Sequence, residues 1–383
     1  MPQRVLIAGA GIAGLAAALR LHRDGHEIVV VERARARRTG GYLINLLGTG
    51  FDAAERLGLD GALRAHDQGM FTSNLVRADG STRLTMPAAM AESLGDRALT
   101  VFRGDLESVL YEAVQGCADI RFDTTVTAIE DVPSAPLRVT LSDGTVEDAD
   151  LVIGADGLHS GVRELAFGPS ESFVRELNHV VAAFTLDAPP EGLSPQTADT
   201  FIDVGRTAAV FRPRTQSASA FVTYRTDSVA ADLAAGPVAA IERRFADLGG
   251  GLRAAIAGAG DEAYFDSVSQ VVMPSWSSGR VVLLGDAAWC VSLFAGHGAG
   301  LALDGADRLG RALAAHDDTA AALRSWEASL RDEVERKQKQ ARVGMARFAP
   351  PSRLHLVVQD LMIRALTAPV LGPFLQSRLP RPK

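Results

Sequence analysis

Cysteine is scarce in this sequence: Cys117 and Cys290 are the only two, far apart and without partners at metal-ligand spacing. That excludes a disulfide framework and a thiolate metal site, and it matches a reducing compartment. Both cysteines are expected to be small buried residues, no metal is expected, and the expected location is cytoplasmic. Long apolar runs are missing too. The most apolar stretch, 354–375, is broken by Gln359, Asp360, Arg364, Pro369 and Pro373. It therefore reads as a helix covering a hydrophobic face, not as a stable membrane insertion. Basic runs with interleaved aromatics are absent from a chain of net charge -7, which removes nucleic acid as a partner. Neither repeats nor low-complexity tracts occur. What remains is 383 residues, 47% of them hydrophobic, enough for two intimately connected domains that fold without staples.

The most informative segment is 4–32. An apolar run, 5–8, enters Gly9, Gly11, Ala13 and Gly14, and a second apolar run ends on Glu32. The pattern predicts a strand, a glycine turn, a helix and a second strand that delivers a carboxylate. One glycine makes the tight turn, one lets backbone amides approach a pyrophosphate, and one lets the helix pack closely on the sheet. Glu32 stands roughly 20 residues on, where an acid accepts hydrogen bonds from a ribose 2′-hydroxyl and repels a 2′-phosphate. NADP is thereby excluded from this site, while FAD and NAD both remain. The glycine spacing and a helix end near Asp24-Gly25 read against a signal peptide.

Further along, an arginine-rich turn (Arg33, Arg35, Arg37, Arg38) leads to Gly40-Gly41 and a predicted helix over 49–57. Residues 71–77 and 81–86 flank Ala78-Asp79-Gly80 as a hairpin. A helix over 105–114 follows Arg103, then strands over 120–130 and 137–141, and a buried strand over 150–154. From 172 to 275 short strand-like runs alternate with turns and one helix, 238–248. The chain then returns to a buried strand at 280–284, a glycine-rich turn at 296–300, a charged helix over 319–347 and the apolar C-terminal helix beyond Pro350-Pro351.

Three more motifs lie far from the first. They are Asp150-Leu-Val-Ile-Gly154-Ala155-Asp156-Gly157-Leu158-His159-Ser160-Gly161-Val162-Arg163, Arg280-Val-Val-Leu-Leu-Gly285-Asp286-Ala287-Ala288 continuing to Gly296-His297-Gly298, and Arg103-Gly104-Asp105-Leu106. In this order they resemble the single-component FAD-dependent aromatic hydroxylases, the class A flavoprotein monooxygenases related to p-hydroxybenzoate hydroxylase. The resemblance covers nearly the whole chain. Within that family, Gly40-Gly41-Tyr42-Leu-Ile-Asn45 through Gly58 looks most like the antibiotic-modifying, tetracycline-inactivating type.

The implied fold is α/β: a discontinuous Rossmann-like FAD-binding domain (1–70, 98–171 and 276–318), an inserted β-rich substrate domain (71–97 and 172–275) and C-terminal helices (319–383). The implied cofactor is tightly bound, non-covalent FAD, contacted by Gly9, Gly11, Ala13, Gly14, Glu32, Arg33, Gly41, Arg103, Asp156, Gly285, Asp286, Gly296, Gly298 and Ala299. Asp286 has two readings, a ribityl or ribose partner and a helix N-cap. The amides after Gly296 open a helix whose positive end can face the flavin N1 and C2 carbonyl. Arg103, a cation at a helix start, opposes the dipole there and so reads as a phosphate or ribityl partner. Asp156 and Arg163 carry either a cofactor role or a structural turn with an internal ion pair.

The resemblance further implies that NADPH or NADH reduces FAD as a transient visitor. O2 then adds at C4a, and the hydroperoxide passes one oxygen atom to an aromatic or polyketide-like molecule. Candidate substrate-wall residues are Phe184, Phe211, Phe221, Tyr224, Arg225, Phe265 and Phe294, of which strand alternation assigns about half to plain core. The chain departs from the family at Trp289, Leu293 and His297, where a histidine or aromatic, a proline and a glutamine are usual. His297 is a candidate proton carrier; its other reading is a hydrogen-bonded loop residue. A flavin dehydrogenase or reductase on the same fold and a non-catalytic flavin- or ligand-binding protein stand as alternatives. A halogenase is excluded because Trp276, Trp289 and Trp326 are isolated and form no Trp-x-Trp motif. A monomer and a homodimer are both compatible with the sequence.

Overall fold

A computed structural model describes residues 2–37, 42–88, 97–132, 135–214, 216–260 and 263–367. Its centre is a six-stranded sheet in the order Ser277–Ser278, Val281–Leu283, Leu151–Gly154, Arg4–Ala8, Glu27–Val31, Asp119–Arg121. Four consecutive pairings in it are parallel, from Val281–Leu283 across to Asp119–Arg121. Their near-continuous Val, Ile and Leu content reflects burial on both faces, as parallel sheets require. Helix Ile12–Arg23 covers one face through Ala16, Ala17 and Ala18, and these small side chains let helix Gly298–Ala315 pack close beside it.

A seven-stranded sheet forms the second layer, in the order Tyr264–Val271, Val174–Thr185, Ser219–Arg225, Arg206–Arg212, Thr197–Asp203, Thr72–Val76, Thr82–Met86. The expected hairpin forms, and its first strand pairs parallel with Thr197–Asp203 across more than a hundred residues of chain. One face of this sheet is sealed by helices Val229–Phe245 and Gly250–Ile256. The sequence predicted a single helix here, over 238–248. The chain instead starts helical at Val229, breaks at Gly236 (φ 79°), just before Pro237, which has no N–H to donate to the helix ladder, and resumes.

Helix Thr319–Phe348 lies along the molecule with Leu323, Trp326, Leu330, Val334, Gln338 and Ala341 buried. Gln338 Nε2 donates to the carbonyl of Val271 at 2.7 Å, and Gln270 Nε2 donates to the carbonyls of Val291 and Gln338. This buried amide pair ties the helix to the end of the seven-stranded sheet and to the loop after Asp286. Helix Arg353–Thr367 follows. Among the described residues no helix is long and apolar enough to cross a membrane, and no cluster of His, Cys, Asp and Glu has metal-binding geometry. The protein is thus a mixed α/β fold with a parallel sheet, a β-rich second sheet and C-terminal helices.

Candidate functional site

Parallel strands point their carboxyl ends the same way, so Gly9, Glu32, Ala155-Asp156 and Gly285-Asp286 emerge at one edge of the six-stranded sheet. The glycines fix how closely these turns meet. Gly9 has φ +106°, and a Cβ there would meet the Ala155 carbonyl oxygen at 2.4 Å. A Cβ on Gly14 would lie 1.9 Å from the Gly9 carbonyl oxygen, so only glycine lets the helix start on top of its own turn. Gly285, at φ +67°, would place a Cβ 2.7 Å from the Ala13 Cβ. Gly11 is different: its nearest neighbour is Glu107 Oε1 at 3.8 Å, leaving a concave surface over the helix N-terminus.

Arg103 is held over this concavity by Glu107, with Nη2 to Oε1 at 2.6 Å. It also lies within electrostatic reach of Asp286 and Tyr42. The Asp286 side chain is accessible to solvent at this edge, with protein packed closely around it. Crowding raises its pKa, and the Arg103 guanidinium opposes that rise. A Cβ on Gly298 would come within 3.9 Å of Asp286 Oδ1, which places the start of helix Gly298–Ala315 against the same carboxylate. Gly296 sits in the left-handed region at φ +65° with open space around it. Ala299 packs against the main core.

Glu32 accepts from the backbone N–H of Ala10 and of Ala34, both at 2.9 Å. The carboxylate is thereby locked beside the glycine turn, with lone pairs left for hydroxyl donors. Arg33 is exposed at the neighbouring lip. Gly41 lies outside the described residues. Asp156 caps helix Gly161–Phe167, accepting from Ser160 Oγ at 2.5 Å and Val162 N at 3.0 Å, and its burial raises its pKa. Arg163 is fully buried, and among the described residues no carboxylate forms an ion pair with it. Its guanidinium donates to the carbonyls of Ala287 and Leu158 and to Ser170 Oγ, clamping the Asp156 turn onto the Asp286 turn.

The substrate-wall candidates divide by strand parity. Phe184, Tyr224 and Phe265 pack into the cluster sealed by helices Val229–Phe245 and Gly250–Ile256, so these three expectations are corrected: they are core on the far face. Phe211 and Phe221 lie on the opposite face, because Ala209 pairs with Phe221 and stands two residues from Phe211. Phe211 meets Phe71 edge-on at 5.9 Å, and Phe221 packs near Leu293. Phe294 is buried between His179 and Phe348 and is a wedge under the turn. Arg225 is exposed at a strand end.

His297 caps helix Gly298–Ala315, and its Nε2 accepts from the Lys337 ammonium at 2.9 Å. Burial, assisted by that cation, pulls its pKa down to about 4, so at pH 7 it is the neutral imidazole and not an imidazolium acid. Residues the sequence did not single out complete the cleft. Tyr42 and Tyr264 stand with ring centroids 5.9 Å apart, and burial pushes Tyr42 up to about 12 and Tyr264 well above its ordinary value. Cys290 lies beside Asp286, its thiol pushed up by burial and by that carboxylate. Asp266 contacts His159 Nε2 at 3.1 Å and raises its pKa, bridging the Asp156 turn to the seven-stranded sheet. Tyr42 was visible in the Gly40-Gly41-Tyr42 segment, whereas Tyr264 and Asp266 carry no local signal because sheet pairing alone brings them here.

The open surface at Gly11, the Asp286 carboxylate and the free helix terminus fit an elongated dinucleotide. Residues 3–336 match the family model described as FAD binding domain. The chain belongs to this family of FAD-binding monooxygenases. Among its relatives is an uncharacterized protein of Mycobacterium tuberculosis, 35% identical over 87% of this chain and 91% of that protein. The FAD-dependent monooxygenase asL4 of Sarocladium schorii is 32% identical, covering 82% of this chain and 77% of its own length. The crystal structure of the tetracycline destructase Tet(51) superimposes with a TM-score of 0.79 at 26% identity, covering 100% of both chains. Like those relatives, the protein is a flavin-dependent monooxygenase by family.

Proposed function

We propose that this monooxygenase uses NAD(P)H and O2 to insert one oxygen atom into an aromatic or polyketide-like small molecule. The carrying observation is that motifs distant in sequence meet at one edge of the six-stranded sheet, while Phe221 packs on the same small cluster as Leu293 of the turn after Asp286; the Phe211 and Phe221 face is the substrate wall in this reading. FAD, when bound, supplies hydride acceptance and oxygen activation. The protein's own work is placement and exclusion of water.

Gly9, Gly11, Ala13 and Gly14 leave the amides of helix Ile12–Arg23 free for a pyrophosphate, and Arg103 adds a fixed cation. Glu32 takes the ribose hydroxyls and Asp286 the ribityl chain, with Arg33 at the rim. Gly296, Gly298 and Ala299 present helix amides where the pyrimidine edge of the flavin belongs, a dipole effect of about 0.3–1 kcal/mol to which direct amide contacts add. Asp156 acts by shaping the turn over which a transient nicotinamide passes.

Aromatic side chains at the Phe211–Phe221 wall favour a flat substrate. The similarity to a tetracycline destructase supports an antibiotic-like molecule within that class. The test is a screen of aromatic and polyketide compounds for stimulated NAD(P)H consumption, with mass analysis for one added oxygen atom. Bound FAD that NAD(P)H never reduces, whatever the compound, would favour the flavin-binding alternative and sink this proposal.

A further inference from the structure

Lys337 is one of three lysines in the chain, with Lys339 and Lys383, while every other fixed cation is arginine. It sits half-buried on helix Thr319–Phe348, and its ammonium points at a ring nitrogen of His297. A compact ammonium can approach an imidazole nitrogen end-on, whereas a planar guanidinium is shaped for a paired acceptor such as a carboxylate. The contact has a chemical consequence. An ammonium only donates, so His297 Nε2 must accept, and the single proton of the neutral ring must reside on Nδ1.

The position matters as much as the proton. His297 immediately precedes Gly298, whose Cα hydrogens face Asp286, and it follows Gly296 in the turn that opens the 18-residue helix. Lys337 therefore stands behind the positive end of that helix. Glu333, one turn earlier on the same helix, is the acid that acts on Lys337, but it is drawn to Thr49 Oγ1 at 3.3 Å and to Arg308 at 3.6 Å. Arg336 adds a like charge on the same helix, and Asp286 faces the turn from the cleft side.

We propose that Lys337 is a positioning residue for the cofactor site: it fixes His297 as the Nδ1–H tautomer and adds positive charge behind the helix terminus that meets the flavin ring. This rests on the FAD reading above. A reduced flavin ring gains negative charge at its pyrimidine edge, so a cation behind that terminus stabilises the reduced form more than the oxidised one.

The experiment is to measure the reduction potential of bound FAD in the wild type, Lys337→Met and Lys337→Arg, alongside 15N NMR of His297 in the protein with and without FAD. Lys337→Met is expected to shift the two-electron equilibrium toward oxidised flavin by about tenfold, roughly 30 mV. Lys337→Arg, keeping the charge, should recover most of that shift. In the wild type the 15N shifts should report Nδ1–H, and Lys337→Met should raise the His297 pKa. An unchanged potential in Lys337→Met with FAD still bound, or an Nε2–H ring in the wild type, overturns the inference and leaves the monooxygenase reading intact. Failure of the wild type to bind FAD overturns that reading, and the NMR arm still judges the tautomer.

Discussion

Gly285 packs against Ala13 so closely that a Cβ on the glycine would stand 2.7 Å from the alanine methyl. This contact locks the turn carrying Asp286 onto the helix that follows the first glycine motif. Gly285→Ala is therefore expected to cost about 1–3 kcal/mol from overpacking alone, with further strain from its φ of +67°. A lowered thermal midpoint together with weaker FAD binding, read by flavin fluorescence, is the expected pair of results.

Asp286 and Gly11 line the cleft without serving the core, so their loss should separate binding from folding. Asp286→Ala and Gly11→Val are expected to leave the melting profile close to wild type and to abolish the yellow colour of purified protein. Full FAD retention in both variants would show that the cleft is not the cofactor site.

Arg163 should behave in the opposite way. Removing it strands the buried carbonyls of Ala287 and Leu158, at about 1–3 kcal/mol for each group left without a partner. Arg163→Met is expected to lower the thermal midpoint strongly, with loss of FAD only as the Asp286 turn loosens.

Phe184 and Phe221 sit on neighbouring strands but on opposite faces of one sheet. Phe184→Ala is expected to cost roughly 3–5 kcal/mol of stability while leaving KM for the substrate unchanged. Phe221→Ala should change KM more than it changes the thermal midpoint, once a substrate is in hand.

The His159–Asp266 contact predicts a pH dependence with a definite sign. The folded-state pKa of His159 is raised by Asp266, so its stabilisation is complete below the ordinary histidine value of 6.5 and is lost as pH climbs through the raised value. His159 is largely exposed, which limits the effect to about 0.2–1 kcal/mol after solvent screening. Asp266→Asn should flatten this limb of a stability-against-pH curve. His297 works the other way: with its folded pKa near 4, stability falls as pH drops from 6.5 toward 4, and His297→Gln should remove that loss.

The sequence by itself determined what is local. Glycines that must adopt φ above zero, the strand that ends on Glu32 and the Asp156 and Asp286 turns are short-range patterns, and parallel pairing then forces their carboxyl ends to one edge. Only the tertiary structure decided what depends on distant partners. Trp276, Trp289 and Trp326, isolated in sequence, meet with ring centroids 4.6–5.7 Å apart because three elements stack there. Sheet register decided that Phe184 and Tyr224 face helices while Phe221 lies on the opposite face, since one residue of slip exchanges the faces. It also brought Tyr264 near Asp286 and Asp266 against His159, and set Lys337 against His297. Those pairings arise from long-range packing, whose energy is spread over the whole core and leaves no mark in any short stretch of sequence.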